Sequence, residues 1–209
     1  MESNIIHGKR ERVNYEGAIY HITTNCNDRQ NCLKDDTDFE QYRLILRRCK
    51  TKYGFLLPNY GTMHTHIHLI IKLALTLNIS RIMQSINRQY AGWYNKRYNR
   101  KGHFWEERFY GVLIKDDLQL LAAMRYIDLN PVKANLCAHP AEWKYSGAAC
   151  LLNGDYDELI DLPDVYLNLG NDAASRQAAY AQIFPPPYFN QVNQSGYSIR
   201  LNNQVEQPG

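Results

Sequence analysis

Met63-His64-Thr65-His66-Ile67-His68-Leu69-Ile70-Ile71 is the stretch on which the reading of this chain turns. It holds three of the seven histidines, at alternate positions, and runs directly into apolar residues typical of a β-strand. Side chains two apart on a strand leave the same face of a sheet, so His66 and His68 project together while Ile67 turns inward. Two imidazoles side by side on a rigid strand make half of a metal site, and the missing ligand has to come from elsewhere in the chain.

Working outward, residues 55–63 read as a strand whose Pro58 and Gly61 mark an edge position or a bulge. With residues 66–73 it forms an antiparallel hairpin turning near His64, which is expected to be a solvent-exposed turn residue. Upstream, residues 18–24 are β-branched and aromatic and give a first strand. Asp35 to Asp38 offer N-caps to a helix that reaches Lys52 and is ended by Gly54, and Arg43, Arg47, Arg48, Lys50 and Lys52 make that helix basic. Downstream, Asn78 opens a second helix with Ile82, Met83, Ile86, Tyr90 and Trp93 on its apolar side. A fourth strand follows at residues 109–114. Asp116 then caps a third helix expected to run to about Leu129, where Asn130-Pro131 closes it. The order β-α-β-β-α-β-α predicts an α+β fold, a ferredoxin-like or RRM-like antiparallel sheet with helices packed on it.

Composition narrows the function classes. A chain of 209 residues with 44% hydrophobic content buries a substantial core. No apolar run is long enough to span a bilayer and the start, Met1-Glu2-Ser3-Asn4, is polar, so a cytoplasmic location is expected. The five cysteines form no CxxC pair, which argues for reduced thiols and against a zinc ribbon. Residues 1–139 carry 21 Lys and Arg against 13 Asp and Glu, an excess of +8, while the remainder carries 3 against 8. A basic first part points to a polyanion partner.

The third helix supplies candidates to complete the histidine pair. Gln119, Ala122, Ala123, Tyr126, Asn130 and Lys133 recur at three- and four-residue spacing and so share one stripe. Tyr126 taken alone reads as a core tyrosine; in register with an amide one turn on, it becomes a candidate nucleophile with Asn130 as a neutral oxygen ligand. A phenol with an ordinary pKa of ~10 needs a base, a cation or a metal-polarised electrophile to attack at neutral pH. Attack on a phosphodiester leaves a covalent phosphotyrosine, which a free hydroxyl can reverse. That is strand-transfer chemistry.

His66-Ile67-His68, with Tyr126 on a later helix and Asn130 four residues beyond it, resembles the single-tyrosine HUH transposases of the IS200/IS605 type. The segments Gly17-Ala18-Ile19-Tyr20-His21-Ile22-Thr23, Gly102-His103-Phe104-Trp105, Arg108-Phe109 and Arg125 to Ala134 are similar to the branch called REP-associated tyrosine transposases. The resemblance covers roughly residues 10–150, and its most specific part is Tyr126-Ile127-x-x-Asn130-Pro131-Val132-Lys133. It implies that His66, His68 and Asn130 bind Mg²⁺ or Mn²⁺. It also implies that Tyr126 cuts single-stranded DNA, often beside a hairpin and at palindromic repeats, leaving a 5′-phosphotyrosine and a 3′-hydroxyl. The chain departs from the family at His64-Thr65, where relatives commonly carry Pro-Asn.

The implied organisation is a basic arm over residues 1–15, a transposase domain over 16–150, a helical extension over 151–188 and a Gln/Asn-rich tail over 189–209, expected to be mobile. For DNA contact, Arg100, Lys101, Arg108 and Trp105 combine charge with an aromatic face, as single strands require. Trp105 serves equally well to close the core. Arg10 and Arg12 in the arm, and Arg125 and Lys133 beside the tyrosine, complete the DNA-binding set. A monomer is preferred, with a dimer as the alternative. Two rival functions are a non-catalytic nucleic-acid-binding domain derived from such an enzyme, and a metal-dependent phosphodiesterase that forms no covalent intermediate.

Overall fold

In the computed structural model the described residues are 14–27, 30–74 and 77–184. The arm with Arg10 and Arg12, and the tail from 185 onward, lie outside them. β1 (Ile19–Asn25) is followed by α1 (Asp36–Tyr53), β2 (Leu56–Thr62), β3 (His66–Lys72), α2 (Ile79–Arg97), β4 (Tyr110–Ile114) and α3 (Asp117–Lys133). A short 3₁₀ turn (Pro140–Glu142), α4 (Ala148–Asn153), α5 (Asp164–Leu167) and α6 (Ala173–Gln182) complete the described chain. The strands form one four-stranded sheet in the order β2-β3-β1-β4, the ferredoxin-like arrangement the sequence predicts. As Pro58 requires, β2 is an edge strand.

The helix boundaries follow from their caps. Asp35 accepts a bond from the Asp38 amide at 3.2 Å to start α1, and Gly54, in the left-handed region at φ 66°, ends it by donating its N–H to the Lys50 carbonyl at 2.8 Å. Asn78 caps α2 through the Ser80 amide, and Asp116 caps α3 through the Gln119 amide, both at 2.8 Å. The end of α3 differs from expectation: the helix runs through Pro131 to Lys133 instead of stopping at Leu129. Pro131 and Val132 are buried, and the Ala134 and Leu136 amides bond to the Asn130 and Pro131 carbonyls at 2.9 Å. Burial of these side chains and the renewed ladder outweigh the one rung that proline cannot supply.

The chain groups into two compact units, Met1–Leu57 with Thr62–Leu113, and Pro58–Gly61 with Ile114–Gly209. In the first, β1 and β3 pair antiparallel with Thr23 opposite His68 and Asn25 opposite His66. Tyr20, Ile22, Ile67, Leu69 and Ile71 therefore share the other face; all are 1% exposed or less. Together with Tyr42, Ile45 and Leu46 of α1 and Ile82, Met83 and Ile86 of α2 they make this unit's core.

The second unit is built around α3. The 3₁₀ turn and α5 pack on it, α4 packs on the 3₁₀ turn and on α6, and the Pro58–Gly61 stretch belongs with them. Here Gly147 is a close approach: a Cβ at that position would lie 2.5 Å from Asn59 Oδ1 and 2.6 Å from Ile160 Cδ1. Its amide donates to the Tyr60 carbonyl at 3.0 Å.

Candidate functional site

The alternation of β3 places His66 and His68 on one face, and the register with β1 adds Asn25, Thr23 and His21 to it. The rings of His66 and His68 have centroids 4.9 Å apart; those of His21 and His68 are 5.2 Å apart. Each proposed ligand has its Nδ1 engaged. The Thr65 hydroxyl lies 2.9 Å from His66 Nδ1, and the Thr23 hydroxyl 3.1 Å from His68 Nδ1, which also meets His21 Nε2 at 3.2 Å. A hydroxyl both donates and accepts, so these contacts admit the tautomer in which Nδ1–H donates and Nε2 keeps its lone pair for a metal.

Burial sets the charge state of this face. His21 and His68 are 6% and 3% exposed. Desolvation pushes the His21 imidazole down to about 4, and pushes His68 well below the ordinary histidine range, with charge on His21 and His66 adding in the same direction. At neutral pH both are neutral imidazoles, the form that ligates. Among the described residues no group of three or more His, Cys, Asp or Glu side chains is arranged to hold a metal ion.

His64 is not the exposed turn residue expected. Its ring is half-buried, its Nδ1 lies 2.6 Å from the Leu33 carbonyl, and it packs edge-on to Phe39 at 5.3 Å. Its own carbonyl accepts from Cys32 at 2.8 Å and Leu33 at 3.1 Å, while the Cys26 amide bonds to the Thr65 carbonyl at 2.9 Å. The loop after β1 thus straps the hairpin turn that delivers His66.

In the second unit, α3 presents Tyr126, Asn130 and Lys133 one turn apart, as their spacing predicts. Tyr126 is half-buried, and the Lys133 ammonium sits 5.2 Å from its ring centroid. Asn130 donates Nδ2–H to the Tyr126 carbonyl at 2.8 Å, which commits its nitrogen to the helix and turns Oδ1 the other way. Burial, then the nearby Arg125, lowers the Lys133 pKa. Arg125 donates to the Ile183 carbonyl at 2.7 Å, anchoring the end of α6.

Asp128, on the opposite side of α3, is fully buried, and burial raises its carboxyl to about 7. It accepts from Asn59 Nδ2 at 2.8 Å and from the Tyr180 hydroxyl at 2.6 Å.

The remaining candidates sit beyond α2. Lys101 and Arg108 are exposed, and Arg100 lies over the Tyr94 ring at 5.6 Å. Trp105 is half-buried, donates Nε1–H to the Asn87 carbonyl at 2.9 Å, and packs against Phe104 at 4.6 Å and Tyr90 at 6.0 Å. His21, Thr23 and Thr65 are the site residues that sequence reasoning missed. His21 and Thr23 do alternate along β1, but only the β1–β3 register brings them to His68.

The fold is a four-stranded antiparallel sheet with helices packed on it, the class to which the relatives of this chain belong. The family model for IS200-like transposases matches residues 14–130, and the chain belongs to that family. It is similar to a Haemophilus influenzae protein carried under the name REP-associated tyrosine transposase, 27% identical over 143 residues, covering 63% of this chain and 80% of that one. It is also similar in fold to the solved structure of a REP-associated tyrosine transposase bound to a REP hairpin. That match has a TM-score of 0.61 and 22% identity, over 75% of this chain and 94% of that chain. Among the described residues no helix is long and apolar enough to cross a membrane.

Proposed function

We propose that this protein is a divalent-metal-dependent enzyme that nicks single-stranded or hairpin DNA and transfers the strand through a 5′-phosphotyrosine on Tyr126. The observation that carries the reading is the pairing of two imidazoles, 4.9 Å apart, each with Nδ1 against a threonine hydroxyl. That arrangement suits His66 Nε2 and His68 Nε2 as ligands of Mg²⁺ or Mn²⁺, with Asn130 Oδ1 as the oxygen donor. Two nitrogen donors match Mn²⁺ better than Mg²⁺, which favours oxygen. When bound, the ion supplies a Lewis acid for the scissile phosphate.

Tyr126 Oη forms the new bond to phosphorus, and the bond from phosphorus to the 3′ oxygen breaks. The phenol gives up its proton and the leaving 3′ oxygen takes one. The Lys133 ammonium beside the ring stabilises negative charge as it develops on the phenol oxygen. Arg100, Lys101 and Arg108 hold the strand by its phosphates. Arg10 and Arg12 extend that contact from the arm, and Arg125, tied to the end of α6, holds the tyrosine helix in place.

The test is covalent attachment. An oligonucleotide carrying a cleavable site becomes linked to the wild-type protein in Mn²⁺ or Mg²⁺, and chelation by EDTA stops the reaction. Tyr126→Phe binds the same DNA and forms no adduct; attachment to Tyr126→Phe at the wild-type rate refutes the assignment. Release of free 5′-phosphate with no adduct in either protein refutes the strand-transfer chemistry itself.

A further inference from the structure

α1 and α2 lie antiparallel and side by side in the first unit. Arg97 near the end of α2 reaches Asp35 at 2.7 Å and Asp38 at 2.6 Å at the start of α1. At the other end of the pair, Cys49 Sγ meets Ser85 Oγ at 3.7 Å and Gln89 Nε2 at 3.3 Å. Helical spacing then fixes which side chains border the outer groove. On α1, Arg48 and Lys52 are four residues apart and stack beside Cys49; on α2, Arg81 lies one turn before Ser85 and Arg88 nearly one turn after it. All four cations are exposed, and among the described residues none is paired with a carboxylate.

The charge of this layer is one-sided. α1 carries five Lys and Arg against Asp36, Asp38 and Glu40, all at its start, and α2 carries four with no Asp or Glu. The two helices together carry nine cations against three carboxylates, a net +6 and most of the +8 excess of residues 1–139, so the basic asymmetry of the chain is concentrated here. None of the aromatic side chains of these helices is fully exposed. Tyr42, Tyr90 and Tyr94 are buried, and Trp93 and Tyr53 are half-buried. Surfaces that track single strands interleave charge with aromatic faces, whereas a duplex backbone, with its charge every ~1.7 Å of axis, is held by charge alone.

We propose that the outer face of α1 and α2, centred on Arg48, Lys52 and Arg81, binds the phosphate backbone of duplex DNA without regard to sequence. The histidines stand on one face of β1 and β3, and the apolar core under α1 and α2 lies on the other. Duplex held on the helices therefore leaves the histidine face to a single strand. The choice of DNA as the polyanion rests on the function proposed above.

The test compares wild type with the triple variant Arg48→Gln/Lys52→Gln/Arg81→Gln, its fold checked by circular dichroism and thermal melting. Binding of a labelled 20-base-pair duplex of arbitrary sequence is titrated by fluorescence anisotropy over a salt series. In the triple variant the slope of log K against log salt becomes shallower by about 2.7, roughly 0.9 for each phosphate that is no longer neutralised, and duplex affinity falls at least tenfold at low salt. The charge-conserving variant Arg48→Lys/Lys52→Arg/Arg81→Lys restores both. Single-strand affinity and adduct formation on a single-stranded oligonucleotide stay at wild-type levels in all three proteins. Equal duplex affinity and slope in wild type and the triple variant overturn the proposal, as does an equal loss for single strand and duplex. Charge-dependent duplex binding by a wild-type protein that forms no adduct leaves this surface standing and overturns the catalytic reading instead.

Discussion

Each unit buries ionisable groups, and the two sets are built differently. In the second unit both oxygens of Asp128 receive a donor from the scaffold, one from Asn59 and one from Tyr180. In the first, His66 meets the hydroxyl of its chain neighbour Thr65 at Nδ1 and His68 meets that of Thr23 on the paired strand β1, contacts that orient the rings and leave Nε2 out of them. Asp128 and His68 are both moved from their ordinary range by burial, so a shifted pKa does not by itself mark a reactive site. Asp128 is a joint: it ties α3 to a residue of β2 and to α6. The histidines are a face of neighbouring rings, with His66 and His68 centroids 4.9 Å apart.

The largest effect that distinguishes the two comes from breaking the joint. Asp128→Ala strands two buried donors and is expected to cost about 3 kcal/mol of unfolding free energy in urea titration, with adduct formation per folded molecule unchanged. A loss below about 1 kcal/mol means the carboxylate is not holding the second unit together.

Next in size is a pH dependence of opposite sign in the two units. His21 titrates near 4 when folded and 6.5 when unfolded. The unfolded chain binds more protons between those values, so this term removes stability as pH falls from 6.5 towards 4. Asp128 titrates near 7 when folded and 3.8 when unfolded, so its term removes stability as pH rises through that window. The terms oppose each other in the wild type. Asp128→Asn removes one of them, and its stability is then expected to fall by about 3 kcal/mol between pH 6.5 and 4, at 1.36 kcal/mol per pKa unit. A flat profile in that variant argues against a neutral, buried His21.

A smaller effect concerns the hydroxyls. Thr65→Val and Thr23→Val retain both imidazoles but release their orientation, and each is expected to weaken Mn²⁺ binding about tenfold in calorimetric titration, with stability nearly unchanged. Unaltered Mn²⁺ affinity in both variants would mean the threonines do not orient the rings for a metal. Smallest of all, Trp105→Phe removes the bond to the Asn87 carbonyl and costs about 1 kcal/mol of stability. If Trp105 closes the core, single-strand affinity is unmoved; a several-fold drop makes it a stacking residue.

Much of the fold and of the candidate site is legible in the residues themselves. Asp35, Gly54, Asn78 and Asp116 set helix ends through bonds to near neighbours, and Pro58 announces an edge strand because a missing N–H is a local fact. The pairing of His66 with His68 and the stripe of Tyr126, Asn130 and Lys133 follow from strand and helix periods. The end of α3 escapes such a reading because the local preference of the residue before Pro131 gives way to burial of Pro131 and Val132, a tertiary matter. The strap on His64 and the approach of His21 to His68 depend on loop path and strand register. The environment of Asp128 likewise requires knowing that Asn59 and Tyr180, 69 and 52 residues away in sequence, meet it.

The edge strand carries one more consequence. Pro58 offers no N–H on β2, and at Tyr60 and Gly61 the backbone is already taken by residues of the same chain, through the Gly147 amide and a bridge to Ser146. A second copy therefore finds no open row of donors and acceptors there to extend the sheet. Self-association by strand addition is closed off on that side, and any pairing of two copies has to use a different surface.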